Sequence, residues 1–117
     1  ETRTGAEVYR YMIPLIRMSE LYLIAAECET NVQTALDKYF NPLRFSRNCV
    51  NQNASSAEEL KSLIRAEYVR EFIGEGQIFY MYKRLNRTMP ASSYYSNPVL
   101  PTDENMILPK PDSESNI

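Results

Sequence analysis

The sequence predicts a mainly α-helical fold: a helix pair, a long third helix and an irregular proline-rich C-terminal segment. Three observations lead to this prediction. Apolar residues recur at helical spacing along two neighbouring stretches, 16–30 and 32–46. The stretch 60–85 is amphipathic over about seven turns if it runs without a break. Five of the seven prolines follow residue 85, and that density of proline excludes a long helix there.

Each helix of the predicted pair carries an apolar stripe. The stripe residues are Leu21, Ile24, Ala25 and Cys28 in the first helix, and Val32, Ala35, Leu36, Tyr39, Phe40 and Leu43 in the second. Pro42 interrupts the second stripe, where it removes one backbone N–H and clashes with the carbonyl four residues earlier. A kink or an early helix end is therefore predicted at Pro42. The polar, asparagine-rich stretch 45–53 predicts a loop.

The long third helix has a clear start signal and an internal interruption. Ser55 or Ser56 is followed three residues later by a glutamate, which predicts a capping box. Gly74 and Gly76 lie inside the pattern at a cost of roughly 1 kcal/mol each relative to Ala. We expect the helix to continue through them, either bending there or packing closely against another backbone.

Composition excludes several classes of function. The net charge is −2 and no basic block stands out, so nucleic acid is not a predicted partner. No apolar run reaches the ~20 residues that a membrane-spanning helix needs. The chain has no His, which removes the commonest general base and metal ligand. Without a metal-ligand cluster or a glycine-rich phosphate loop, neither a metal nor a cofactor is predicted.

The two cysteines, Cys28 and Cys49, are predicted to be free and mostly buried. If the helices of the pair are antiparallel, Cys28 lies near the connecting turn and Cys49 beyond the far end of the second helix. The separation is then roughly 20 Å, which is too long for a disulfide.

Three glutamates, Glu67, Glu71 and Glu75, lie four residues apart and therefore share one helix face. A glycosidase needs two carboxyl groups on opposite sides of a sugar, whereas carboxylates on a single helix project in parallel. Structural ion pairs are the favoured interpretation, and no enzymatic activity is predicted. Arg65, Arg70 and Lys83 lie nearby and are the predicted partners.

Aromatic rings are the usual means of holding sugars, because the C–H face of a pyranose stacks on a flat ring. The chain has nine tyrosines and no Trp. Tyr94 and Tyr95 lie in a polar loop sequence, ASSYYSNP, and are the candidate ligand-binding residues. The alternative is that both tyrosines pin the C-terminal segment to the helices, and both interpretations stay open.

Three stretches together resemble the SusD/RagB family of surface glycan-binding proteins. They are PLIRMSELYLIAAEC (14–28), EYVREFIGEGQIFYMYKR (67–84) and MILPKPDSE (106–114), and they follow one another in the family's order. Tyr68 and Met81 depart from the Arg and Asp that the family often has at these positions. The resemblance covers the C-terminal part of such a protein, which implies that the sequence is a fragment. It also implies a tetratricopeptide-like helix pair, with the family's sugar platform in loops outside this region.

The resemblance implies non-catalytic capture of oligosaccharides for import through a partner SusC-like TonB-dependent transporter. It further implies a place on the outer face of the outer membrane, with a lipid anchor carried by an upstream segment. On this basis we expect residues 1–90 to form the helical SusD-like region and residues 91–117 a proline-rich tail packed on it. The alternative function is a tetratricopeptide-like helical scaffold that binds a protein or peptide.

Overall fold

The computed structural model describes residues 16–91, 96–107 and 111 of the chain. Of these residues 60% are helical and none belongs to a strand, which confirms the mainly α fold. The chain divides into two compact units, Glu1–Glu71 and Phe72–Ile117. The tetratricopeptide-like detail, and the division into 1–90 and 91–117, stay predictions.

The first unit contains the helix pair and the start of the third helix. Its elements are α1 (Met18–Cys28), α2 (Val32–Ala35), a π-helical segment (Leu36–Phe40), α3 (Asn41–Ser46) and α4 (Ala57–Glu71). Helix α1 packs against both the π-helical segment and α4. The buried apolar residues of this unit are Leu23, Ala26, Ala35, Leu36, Phe40, Leu43, Leu60 and Ile64.

Helix α1 buries a different face from the predicted one. Ser19, Leu23 and Ala26 are buried, whereas Leu21 and Ile24 are about half exposed. The predicted stripe is therefore wrong for α1. Apolar side chains of α1 occur on most sides of the helix, so periodicity alone does not identify the face that packs in the core. The buried face is the one that carries small side chains, which allow a close helix contact.

The second helix of the pair follows its predicted stripe, because Ala35, Leu36, Phe40 and Leu43 are all buried. It does not end early at Pro42, since helical structure continues from α2 to the end of α3. Instead the helix widens immediately before the proline, where the backbone N–H of Asn41 bonds the carbonyl of Leu36, five residues earlier. Pro42 has no backbone N–H to donate. Its missing hydrogen bond therefore falls where the hydrogen-bond pattern of the helix already changes.

The predicted loop begins after Ser46, slightly later than expected. Asn48 adopts a left-handed backbone conformation (φ 61°), and the next N–H, of Cys49, bonds the carbonyl of Arg44 at 3.0 Å. Asparagine tolerates this conformation better than most residues and often ends a helix in this way. Cys28 and Cys49 are both free, and both are exposed, so the prediction that they are mostly buried is wrong. Each lies at or beyond the end of a helix, outside the core.

Helix α4 begins with the predicted capping box. The Ser56 hydroxyl accepts a hydrogen bond from the backbone N–H of Glu59 at 3.2 Å. The Glu59 carboxylate reaches back to the N–H and hydroxyl of Ser55, at 2.7 and 2.8 Å. These bonds lower the pKa of Glu59 below its usual value. Ser56 is thus the N-cap, and the glutamate reaches one residue further back than in the simplest form of the motif.

The long helix is broken, contrary to the prediction that it runs through its two glycines. Helix α4 ends at Glu71, and α5 (Gln77–Arg84) starts after a turn. Gly74 and Gly76 have φ values of +78° and +76°, and no atom of the described residues comes within 4 Å of a Cβ built on either. Left-handed backbone, rather than close packing, therefore requires glycine at both positions.

The second unit contains α5, α6 (Asp103–Met106) and irregular chain. Met89 and Val99 form an isolated antiparallel bridge with reciprocal N–O distances of 2.9 and 3.0 Å. Phe72, Met81 and Met106 are buried. Between α5 and α6 the described chain is irregular, as its prolines predict.

Candidate functional site

The predicted ligand-binding residues, Tyr94 and Tyr95, lie outside the described residues. The bridge between Met89 and Val99 brings together the two ends of the stretch that contains them. Their role therefore stays a prediction, and the clustered polar side chains described below belong to the first unit.

Glu67 forms the buried centre of an ion-pair network in the first unit. Its side chain is 5% exposed, and its Oε2 atom accepts hydrogen bonds from the guanidinium groups of Arg44 and Arg70. The Arg44 side chain is 11% exposed, whereas that of Arg70 is 65% exposed. Arg44 also lies over the Phe40 ring, 5.9 Å from its centroid. Through Arg44, the carboxylate of Glu67 ties α4 to α3.

Glu71, one turn further along α4, is held by arginines from outside that helix. Arg47 donates from Nε and Nη2 to the two carboxylate oxygens, with 3.1 Å between Nε and Oε2. Arg17, which immediately precedes α1, donates from Nη2 to the backbone carbonyl of Glu71 at 2.5 Å. Its Nη2 also lies 3.9 Å from the carboxylate. Glu71 thus connects the C-terminal turn of α4 to the start of α1 and to the end of α3.

These contacts shift the titration of the Glu71 carboxyl group. The hydrogen bond from Arg47 lowers the pKa of Glu71 below its usual value, and partial burial opposes that change. The same hydrogen bond raises the pKa of Arg47. Both groups are therefore charged at neutral pH.

The glutamate series ends after two members. Glu75 lies in the turn between α4 and α5, so it does not continue the helix face of Glu67 and Glu71. Of the three predicted cation partners, Arg70 does bond Glu67. Arg65 instead donates to the hydroxyl of Ser62 at 2.7 Å, and Lys83 belongs to α5 in the second unit. The prediction of structural ion pairs is confirmed for Glu67 and Glu71.

A second set of bonds fixes the loop that follows α3, and sequence analysis missed it. Arg44 donates from Nε to the carbonyl of Val50 at 3.0 Å. The Asn41 side-chain amide donates to the Gln52 carbonyl at 3.0 Å and accepts from the Gln52 N–H at 2.9 Å. These bonds hold the loop immediately before and after Asn51. The sequence signal for these bonds was the presence of two polar residues, Asn41 and Arg44, inside the apolar stripe of a helix.

In chemical terms the network stabilises the helix arrangement. Arginines bond the carboxylates of both Glu67 and Glu71, as is typical of structural ion pairs rather than of a free general acid or base. Within residues 16–91 and 96–107, no group of three His, Cys, Asp or Glu side chains is placed to hold a metal ion. In the same ranges, no helix has the length and apolar character required to cross a membrane.

The fold and the network define a helical protein whose clustered carboxylates have a structural role. The model of the SusD family matches residues 1–109, nearly the whole chain, and the chain belongs to that family. Membership indicates a glycan-binding role in nutrient uptake. No curated protein and no solved structure gives a significant match to the chain.

Proposed function

We propose that the chain is part of a protein that captures oligosaccharides at the cell surface without cleaving them. In this proposal it passes them to a partner SusC-like TonB-dependent transporter for import. The observation that carries the proposal is the match of the SusD family over residues 1–109. Proteins of this family bind carbohydrate non-catalytically and are associated with SusC transporters.

The state of the two helix glutamates supports a non-catalytic role. A glycosidase holds its carboxyl groups about 5–10 Å apart on either side of a sugar. Glu67 is nearly inaccessible, and Glu71 accepts a bidentate arginine. Removing either carboxylate from its partners to serve a substrate would leave arginine side chains without their counter-ions.

For the sugar contact itself we propose Tyr94 and Tyr95, whose rings would stack on pyranose C–H faces. Their sequence neighbours are small and polar, which suits a loop that meets a ligand. If the two tyrosines instead anchor the C-terminal segment, their replacement by Ala would lower stability and leave glycan binding unchanged. Replacement of both by Phe, which retains the rings, is the matched control.

We place the protein on the outer face of the outer membrane, lipid-anchored through an upstream segment. Family membership supports this location, because SusD family proteins are generally outer-membrane lipoproteins. An alternative function is a helical scaffold that binds a protein or peptide. The exposed apolar side chains of Met18, Leu21 and Ile24 on α1 favour that alternative.

Native affinity electrophoresis tests the proposal. The protein is run through gels cast with different neutral polysaccharides, and its mobility is compared with that of a protein that binds no glycan. We expect retardation by at least one polysaccharide, and loss of the retardation in the Tyr94→Ala/Tyr95→Ala double variant. Unchanged mobility in every gel, together with capture of a peptide ligand, would favour the scaffold alternative.

A further inference from the structure

The surface of the first unit carries a hollow. Its volume is about 310 Å³, and we call it the Phe45 hollow. It is lined by Asp37, Asn41, Pro42, Phe45 and Asn51. This volume is at the lower end of the range of ligand-binding pockets, so the hollow suits one small ring rather than a long ligand.

The apolar part of the hollow is one aromatic ring beside one proline. Phe45, near the C-terminal end of α3, is 78% exposed, and Pro42 is exposed one turn earlier. A single exposed apolar residue is ordinary on a protein surface. The Phe45 ring differs because it lines a concave site together with polar side chains.

The polar part comes from two directions. Asp37, Asn41 and Phe45 are four residues apart, so they lie along one face of the continuous helical stretch. Asp37 belongs to the π-helical segment, a type of irregularity that is frequent at functional sites. Its Oδ1 accepts a hydrogen bond from Gln33 Nε2 at 2.9 Å, and a carboxylate retains further acceptor capacity. Asn51 approaches from the loop after α3.

The loop is fixed on both sides of Asn51. The carbonyl of Val50 accepts from Arg44, and the backbone of Gln52 is bonded twice to the buried Asn41 side chain. Asn51 itself is exposed. The backbone at Asn51 is therefore held in place, while its side-chain amide is accessible to solvent. A polar group held in this way loses little conformational entropy when it binds a ligand.

We propose that the Phe45 hollow binds one neutral hexopyranose unit of an oligosaccharide, a proposal that rests on the glycan-capture function above. A pyranose has an apolar C–H face, which would stack on the Phe45 ring, and a rim of hydroxyl groups. Asp37 would accept from a hydroxyl, and Asn51 would both donate and accept. No Lys or Arg is among the described residues that line the hollow, and the Asp37 carboxylate repels anions, so an acidic sugar is disfavoured.

The substitution series separates stacking from general hydrophobic contact. Phe45→Leu removes the flat ring and keeps an apolar side chain of similar size, whereas Phe45→Tyr keeps the ring. A sugar platform tolerates Tyr and not Leu, while an apolar contact with a peptide tolerates Leu. Asn51→Ala removes the amide. Val50→Ala is the matched control, because Val50 is exposed beside Asn51 and does not line the hollow.

The experiment is an amide NMR titration of the full 117-residue chain with neutral hexasaccharides of glucose, mannose and galactose. We expect saturable shifts at residues 37, 41, 45 and 51 with at least one hexose oligomer. Phe45→Leu and Asn51→Ala should each weaken binding at these residues about fivefold, which corresponds to the loss of one stacking or hydrogen-bond contact. Phe45→Tyr and Val50→Ala should leave it unchanged.

Three results would overturn the proposal in distinguishable ways. If a glycan binds and shifts only residues outside the hollow, with Phe45→Leu at the native affinity, this subsite is wrong and glycan capture stands. If no oligosaccharide shifts any amide of the chain, and the protein is also not retarded by polysaccharide gels, both proposals fail. Binding that survives Phe45→Leu but is lost in Phe45→Tyr also excludes stacking on this ring.

Discussion

Replacing Arg44 by Met should destabilise the first unit far more than the same change at Arg70. Both guanidinium groups donate to Oε2 of Glu67, but the Arg44 side chain is 11% exposed and that of Arg70 is 65% exposed. Methionine retains an apolar stem over the Phe40 ring, so the comparison isolates the charge and its hydrogen bonds.

The expected magnitude follows from burial. Removing one partner of a buried ion pair typically costs about 3–5 kcal/mol, and here Arg70 remains as a weak second partner, which favours about 3 kcal/mol. The carbonyl of Val50 also loses its donor, at about 1 kcal/mol. Arg70→Met removes an exposed pair and should cost about 0.5 kcal/mol.

The assay is urea unfolding followed by far-UV circular dichroism. With a slope of about 2 kcal/mol per molar urea, Arg44→Met should lower the midpoint by roughly 1.5–2 M. The double variant Arg44→Met/Glu67→Met removes both buried charges and should recover most of the loss, leaving about 1 kcal/mol for the Val50 carbonyl.

Equal losses for Arg44→Met and Arg70→Met would refute this reasoning, because Glu67 would then not depend on a buried partner. A double variant that is less stable than Arg44→Met would refute it as well. In that case the carboxylate of Glu67 would be stabilised by contacts other than the arginine from α3.

Three further predictions follow from local structure. Gly74→Ala and Gly76→Ala should each lower the free energy of unfolding by about 1 kcal/mol, because both backbones are left-handed; a gain in urea unfolding would indicate a continuous helix instead. The lowered pKa of Glu71 means that its ion pairs stabilise the chain above pH 4.5, the usual value, and that this contribution is lost as pH falls through the lower folded-state pKa. Urea midpoints across that range should therefore fall less steeply in Glu71→Gln, and identical slopes would contradict the assignment. Cys28 and Cys49, both exposed, should react with a thiol reagent in the native chain without denaturant, and protection of either thiol would contradict its exposure.

Sequence predicted the second helix of the pair well, because its apolar residues occupy one stripe. The same method chose the wrong face of α1. Leu21 and Leu23 are equally apolar, and the choice between them depends on which neighbour the helix meets. Helical periodicity is a property of one helix, whereas the face that becomes buried depends also on the neighbouring helix.

The sequence shows that Gly74 and Gly76 interrupt the helical pattern, but it does not show which backbone conformation results. A glycine pair is compatible with a bend, a close contact or a break, and the left-handed φ values that decide among them appear only in the structure. Pro42 was likewise compatible with a kink or an early helix end. The structure has a wider helical turn at Leu36–Phe40 instead of a helix end.

The partners of the glutamates were the least predictable part of the site. Arg70, three residues from Glu67, follows from helix spacing. Arg44 and Arg47 lie more than twenty residues away in sequence from the glutamates that they bond, and only the tertiary fold of the first unit brings them close. The bonds between Asn41 and Gln52 were missed for the same reason, since they depend on the path of a loop.

Equilibrium dialysis with a labelled oligosaccharide is a direct test of the proposal that this protein binds glycan and leaves it intact. The oligosaccharide is taken from the polysaccharide that retards the protein most strongly. We expect label to accumulate on the protein side in saturable amount, and all of the oligosaccharide to be recovered at its original length. Equal label on both sides of the dialysis membrane would contradict glycan binding, and recovery of shortened oligosaccharides would contradict a non-catalytic role.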